Sequence, residues 1–239
     1  MRATDPEAAK GHNKTSNFCS AHITSLPDDY LHRPADKILQ AAAAQHGDRL
    51  KTAFFCPSDI YGQGRGPGNI RSLLIPEICE NIIELGYSFY ALTGANRKSW
   101  IHVDDVANVY FKLVEAAVEG EEMQCGRRRY YFVTSQELSQ LDLARETGRI
   151  LYTHGLIPTS EPKSLSIETV REMRDGSSWE PMGVYTWACI TLVRADRARS
   201  LLGYVPSAPS VQSTLEGDLL DAVEHVKKIG PTYCPGLRL

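Results

Sequence analysis

The 239-residue chain is 42% hydrophobic and 23% charged, which excludes a largely disordered polymer and suits one large domain, alone or with a small appendage. Its formal net charge of −3 and the absence of any basic run longer than Arg127–Arg129 exclude a nucleic-acid track; no stretch approaches the ~20 apolar residues of a membrane span. The cysteines at 19, 56, 79, 125, 189 and 234 form no C-x-x-C pair and no zinc-finger spacing with histidine. Scattered reduced thiols and no metal site are therefore expected in a soluble, cytoplasmic protein.

Met1–Asp29 is polar, aperiodic and without an apolar core of signal-peptide length, and reads as an irregular tail. From Pro34, Ala35, Ile38, Leu39 and Ala42 recur at helical spacing, and Ala41–Ala44 has the highest helix propensity. Gly47 supplies the stop, so a helix is predicted over Pro34–Gln45. Leu50–Cys56 is a near-continuous apolar run closed by Pro57, as expected of a strand buried on both faces in a parallel sheet. Ser58–Asn69 holds four glycines and a proline and reads as an extended loop.

Leu73–Glu84 is a second predicted helix, and Ser88–Leu92 and Trp100–Val103 are short strands around a turn at Gly94–Lys98. Asp104 or Asp105 is expected to cap a helix whose stripe is Val106, Val109, Tyr110, Leu113, Val114 and Ala117. The triplet Arg127–Arg129 reads as the exposed start of a strand, Tyr130–Val133. Leu138 or Ser139 begins a helix that reaches about Tyr152. Pro158–Met182 is read as loops around one short helix at Ile167–Met173. Helices over Arg194–Leu202, ended by Gly203, and Val211–Ile229 complete the chain. Strands alternating with helices predict an α/β fold with parallel pairing, with Trp100, Tyr110 and Phe111 in its core.

Three segments then stand out in order: KTAFFCPSDIYGQG (Lys51–Gly64), KSWIHVDDVA (Lys98–Ala107) and RADRARSLLGYVP (Arg194–Pro206). Together they resemble the extended short-chain dehydrogenases/reductases of the NAD-dependent epimerase/dehydratase family, over about Leu31–Val226. The likeness is nearest to a fungal-type branch with I-Y-G-x-G-R-G-P-x-N-x-R-S, here Ile60–Ser72. The resemblance implies a partial Rossmann-like parallel sheet over 30–239, interleaved with a smaller C-terminal substrate-binding portion. It also implies an NAD(P)-dependent oxidoreductase or epimerase/dehydratase relative acting on a carbonyl or hydroxyl of a small molecule, with NAD or NADP as cofactor.

The sequence departs from the family pattern in two ways. Gly11 is the single glycine of the first 46 residues, so no G-x-x-G-x-x-G turn precedes Asp29 to cradle a pyrophosphate, and the chain reads as N-terminally truncated. In place of Tyr-x-x-x-Lys stands YLHRPADK, which aligns His32 with the tyrosine and Asp36 with the lysine; Tyr30 and Lys37 are nearby at the wrong spacing. His32 with Asp36 is thus the catalytic candidate, an imidazole acid/base oriented by a carboxylate. The competing reading makes Asp36 a first-turn carboxylate that favours the helix dipole and His32 a solvated loop residue.

Pro57, Ser58, Ile60 and Tyr61 follow the carboxyl end of a strand, where open parallel sheets bind ligands, and the resemblance places them beside the nicotinamide. Arg65, Asn69 and Arg71 are the implied substrate contacts, against the alternative of solvated loop residues. His102 and Asp104 look like a site, but a helix cap accounts for the carboxylates. A non-catalytic remnant that binds a metabolite or a protein partner, or self-associates through uncovered sheet surface, is the alternative function.

Overall fold

A computed structural model describes residues 27–28, 32–50, 52–68, 70–120, 130–173 and 182–229. Helix α1 (Arg33–His46) leads through a short 3-10 turn to strands β1 (Phe54–Pro57) and β2 (Asp59–Tyr61), then helix α2 (Leu74–Leu85). Strands β3 (Phe89–Ala91) and β4 (Arg97–His102) precede helix α3 (Val103–Val118). After β5 (Tyr130–Val133) and β6 (Gln136–Ser139) come α4 (Gln140–Thr153), β7 (Lys163–Leu165) and α5 (Ile167–Glu172). Helices α6 (Met182–Trp187), α7 (Asp196–Leu202) and α8 (Val211–Ile229) close the chain. The expected α/β class is present. The polar tail lies outside the described residues apart from Pro27 and Asp28, as do Tyr30, Asn69 and Arg127–Arg129.

The strands form three small sheets, β1–β5, β2–β4–β6 and β3–β7. Pairing is parallel except between β4 and β6, which run antiparallel with Lys98 opposite Leu138. Uniformly parallel pairing is corrected at that point. The chain changes sheets at Thr134–Ser135, where the Ser135 N–H and both hydroxyls converge on the Trp100 carbonyl, and it returns along β4 in the opposite sense. The loop expected over Ser58–Asn69 also needs correcting, because Asp59–Tyr61 is held as a strand by β4 rather than by its own pattern. Likewise the strand expected over Leu50–Cys56 is confined to Phe54–Pro57.

The long helices follow their apolar stripes. In α2, Ile75, Ile78, Cys79 and Ile82 are buried, and Gly86 ends the helix in the left-handed conformation with its N–H on the Ile82 carbonyl. In α8, Val211, Leu215, Leu219 and Ala222 lie in the same core, packed on α2 and α4. In α4, Gly148 permits close packing, since a Cβ there would meet the Ser88 hydroxyl at 2.4 Å. A second core sets Ile101, Val109, Leu113, Tyr131, Val133 and Tyr204 between β1–β5 and helices α3 and α7. On the other face of that sheet, Phe54 stacks on Tyr130 at 4.5 Å, and Gln40 of α1 donates to the Tyr130 hydroxyl at 2.6 Å.

Two expectations about α3 are overturned. The cap is His102, whose Nδ1 accepts the Asp104 N–H at 3.1 Å; Asp104 and Asp105 lie within the first turn. Trp100 is buried, but Tyr110 and Phe111 are exposed, Phe111 by 66%. The residues that face the core are Val109, Leu113 and Ala116, so the helix is rotated away from the side that carries the aromatics.

Candidate functional site

The segment Pro57–Tyr61 lies at the carboxyl end of the parallel β1–β5 pair. The Ser58 N–H donates to the Val133 carbonyl at 3.0 Å, which bends the chain from β1 into β2. Pro57 is exposed, Ser58 and Ile60 are half-buried, and the Ser58 hydroxyl is enclosed without a hydrogen-bond partner. Tyr61 is fully buried opposite His102, its ring edge-on to the imidazole at 5.2 Å and its hydroxyl donating to the Pro209 carbonyl at 2.7 Å. Burial raises its phenol above the ordinary value.

Gly62 follows with φ +85°, and a Cβ on it would stand 2.3 Å from His102 Nε2. Both the backbone conformation and the approach of the imidazole therefore require glycine. With Nδ1 of His102 accepting from Asp104, the hydrogen-bond pattern assigns the proton of the neutral ring to Nε2. Across this junction Asp218 of α8 faces the Gly62 N–H, the Thr214 hydroxyl and His102. Burial raises the Asp218 carboxyl, and those three groups act in the opposite direction.

His32 and Asp36 flank the start of α1. His32 is its exposed N-cap residue, with helical backbone angles, and the Asp36 N–H donates to the His32 carbonyl at 3.1 Å. They lie one turn apart and interact by charge, but no hydrogen bond joins their side chains. Burial raises the half-buried Asp36 carboxyl, and Arg33 and His32 pull it down. Burial pushes the Cys56 thiol of β1 up to about 12, and the Asp36 charge adds to this. Lys37 turns outward to Asp28 at 2.6 Å.

The two described substrate candidates are already paired. Arg65 reaches Asp104 at 2.8 Å on the surface. Arg71 grips Asp221 of α8 with Nε at 2.5 Å and Nη2 at 3.2 Å. Asn69, the third candidate, is outside the described residues.

Sequence reasoning missed Lys98. Its ammonium is largely enclosed, 3.2 Å from Asp59 of β2 and 6.0 Å from the centre of the Tyr185 ring. Burial alone would pull its pKa down; Asp59, with Cys189 and Tyr185, outweighs this and leaves it raised. Lys98 also borders a small cavity, part of it open to solvent, walled by Ile78, Phe89, Trp100, Leu143 and Trp187. No sequence signal joins these residues, because the cavity is made by packing α2, β4 and α4. Among the described residues no three His, Cys, Asp or Glu side chains gather as a metal would need, and no helix is long and apolar enough to cross a membrane.

Residues 29–126 match the family model of the NAD dependent epimerase/dehydratase family. An oxidase from Acremonium sp., ucsJ, is 26% identical over 204 residues, covering 81% of this chain and 56% of the oxidase. Among solved structures, dTDP-glucose 4,6-dehydratase DesIV of Streptomyces venezuelae, with NAD and TYD bound, matches at a TM-score of 0.52. It is 19% identical, over 81% of this chain and 49% of the dehydratase. UDP-glucuronic acid 4-epimerase of Bacillus cereus, in complex with UDP-glucuronic acid and NAD, matches at 0.52 and 13% identity, over 81% of this chain and 51% of the epimerase. The chain thus spans about half the length of the proteins it matches. These likenesses bear out the Rossmann-type fold and the family resemblance.

Proposed function

We propose, for a chain that belongs over residues 29–126 with the NAD dependent epimerase/dehydratase family, an NAD(P)-dependent reaction at a hydroxyl or carbonyl of a small molecule. The observation that carries the proposal is the enclosed, unpartnered Ser58 hydroxyl at the carboxyl end of the β1–β5 pair, where open parallel sheets take their ligands. An orphan hydroxyl there fits the polar edge of a nicotinamide. Pro57, Ser58, Ile60 and Tyr61 would hold that end of the cofactor, Tyr61 from beneath because its hydroxyl is committed to Pro209. The junctions His102–Val103 and Ser139–Gln140, where strands run directly into helices, carry no glycine that would let a pyrophosphate approach.

When bound, the cofactor supplies a hydride acceptor or donor. The chain's own contribution is a proton. His32, exposed at the head of α1, takes it from or gives it to the substrate oxygen, and Asp36 one turn on stabilises the charged imidazole. Arg65, Asn69 and Arg71 contact polar groups of the substrate. Asp104 and Asp221 already match the charges of Arg65 and Arg71, so the two side chains suit neutral hydroxyls better than phosphates.

Titration of the full chain with NADH and NADPH, followed by nicotinamide fluorescence, tests the reading. Saturable binding that Ser58→Ala weakens is expected; no binding of either nucleotide would overturn it. A second reading, a binding protein without catalysis, is favoured by the exposure of Ile38 and Leu39 on α1 beside the site, and it would stand if neither nucleotide binds.

A further inference from the structure

We infer that Lys98 is a positioning residue of the cofactor segment proposed above, on which this inference rests. Acting through Asp59, it holds Pro57–Tyr61 in place and cancels the charge there, so that the pair sets the relative affinity for oxidised and reduced nicotinamide.

Asp59 stands between Ser58 and Ile60, two of the residues assigned to the nicotinamide, and lies opposite Trp100 in the β2–β4 register. Lys98, two residues before Trp100, is thus the diagonal neighbour of Asp59 on the same face, and its ammonium reaches the carboxylate at 3.2 Å. Side chains alternate along β2. Ile60 packs on the core formed with α3 and α7, while Asp59 and Tyr61 point the other way, to Lys98 and to the Pro209 carbonyl. The segment is therefore pinned from one side at two points. Lys98 is itself on a fixed backbone: β4 lies between β2 and β6, and Thr191 donates to the Arg97 carbonyl at 3.0 Å and accepts from the Ser99 N–H at 2.8 Å.

The pair also balances charge. Tyr185 and Cys189, the other titratable groups that face Lys98, are both held above their ordinary values by burial and stay neutral. Asp59 is therefore what offsets the ammonium. Lys98 is 12% and Asp59 31% exposed, so solvent screens the two charges only in part. Neighbouring Cα atoms are about 3.8 Å apart, which sets a net charge at Asp59 within roughly 10 Å of a ring held by Ser58 and Ile60. The oxidised ring is a cation and the reduced ring is neutral. An unbalanced carboxylate favours the first, and an unbalanced ammonium disfavours it. A pair that served the fold alone would weaken both forms equally.

The test is calorimetric titration of the full chain at pH 7.5 with NAD+ and NADH, or with NADP+ and NADPH if those bind instead. Lys98→Met should shift the affinity ratio toward the oxidised form, and Asp59→Asn toward the reduced form. Each shift should be at least about three-fold, the scale of one unit charge over that distance at a partly exposed site. Should Lys98→Met fail to fold, Asp59→Asn decides by its sign. The double variant Lys98→Met with Asp59→Asn leaves no uncompensated charge, so its urea midpoint and its affinity ratio should return close to wild type. The tether is still missing from it, and its Ser58 amide should exchange about ten-fold faster than in wild type. A ratio that stays put, or that moves the same way in both single variants, overturns this inference and leaves the cofactor reading standing. If no nucleotide binds to the wild type, the cofactor reading falls and amide exchange alone judges the positioning. Wild-type exchange at Ser58 in the double variant would then overturn it.

Discussion

At the scale of single residues, Gly62 and Lys98 carry the most specific demands. Gly62→Ala must hold a side chain at φ +85° and push its Cβ into His102, so it should cost about 3 kcal/mol, read as a lowered urea midpoint at unchanged slope. Lys98→Met leaves Asp59 without its counter-charge at a site where Lys98 is 12% and Asp59 31% exposed, and should also cost about 3 kcal/mol at neutral pH. The pH dependence has a definite sign. The Lys98 pKa is raised on folding, so its contribution is complete below the unfolded value of 10.5 and lost as pH rises through the higher folded value. The stability gap between wild type and Lys98→Met should therefore be flat from pH 6 to 9 and close in strong alkali. Cys56 and Cys79, both pushed up to about 12 by burial, should resist iodoacetamide at pH 8 in the folded chain, and peptide mapping should find them labelled only in urea.

At the scale of elements, α8 holds the glycine-rich connection that follows β2. Arg71 clasps Asp221, Asp218 faces the Gly62 N–H, and the Tyr61 hydroxyl reaches the carbonyl of Pro209, two residues before the helix. Because Asp221 is 43% exposed, solvent screening leaves the Arg71 pair worth less than about 1 kcal/mol of global stability. Arg71→Met should hence barely move the unfolding midpoint while speeding hydrogen exchange in the Gly62–Gly68 amides, as expected for loss of a local tether. The helices were the legible part of this architecture, since α2, α3 and α8 bury stripes several turns long. Strands β2, β6 and β7 were not, because three or four residues carry too little pattern to reveal a partner, and β2 lies inside a glycine-rich stretch. Legibility of the site divides in the same way. Pro57–Tyr61 could be placed from the end of its strand. The Lys98–Asp59 pair joins residues distant in sequence, so only packing brings them together.

At the scale of the molecule, the apolar surface left uncovered bears on behaviour in solution. Ile38 of α1 is 69% exposed and Leu39 lies beside it, while α1 meets the β1–β5 sheet through Gln40 and has few buried side chains of its own. A helix stabilised so little by tertiary packing depends on its intrinsic propensity, which Ala41–Ala44 supplies, and its outer face remains available to another apolar surface. We predict concentration-dependent self-association of the chain through this face. Lysine costs little helix propensity relative to isoleucine or leucine, so Ile38→Lys with Leu39→Lys should keep α1 folded by circular dichroism. The same pair places like charges on both copies where two α1 helices would meet, and sedimentation velocity should show the double variant monomeric over a concentration range in which the wild type is not. A wild-type chain that sediments as a monomer throughout would remove the α1 face as an interface, and with it the observation that favours a partner-binding role over catalysis.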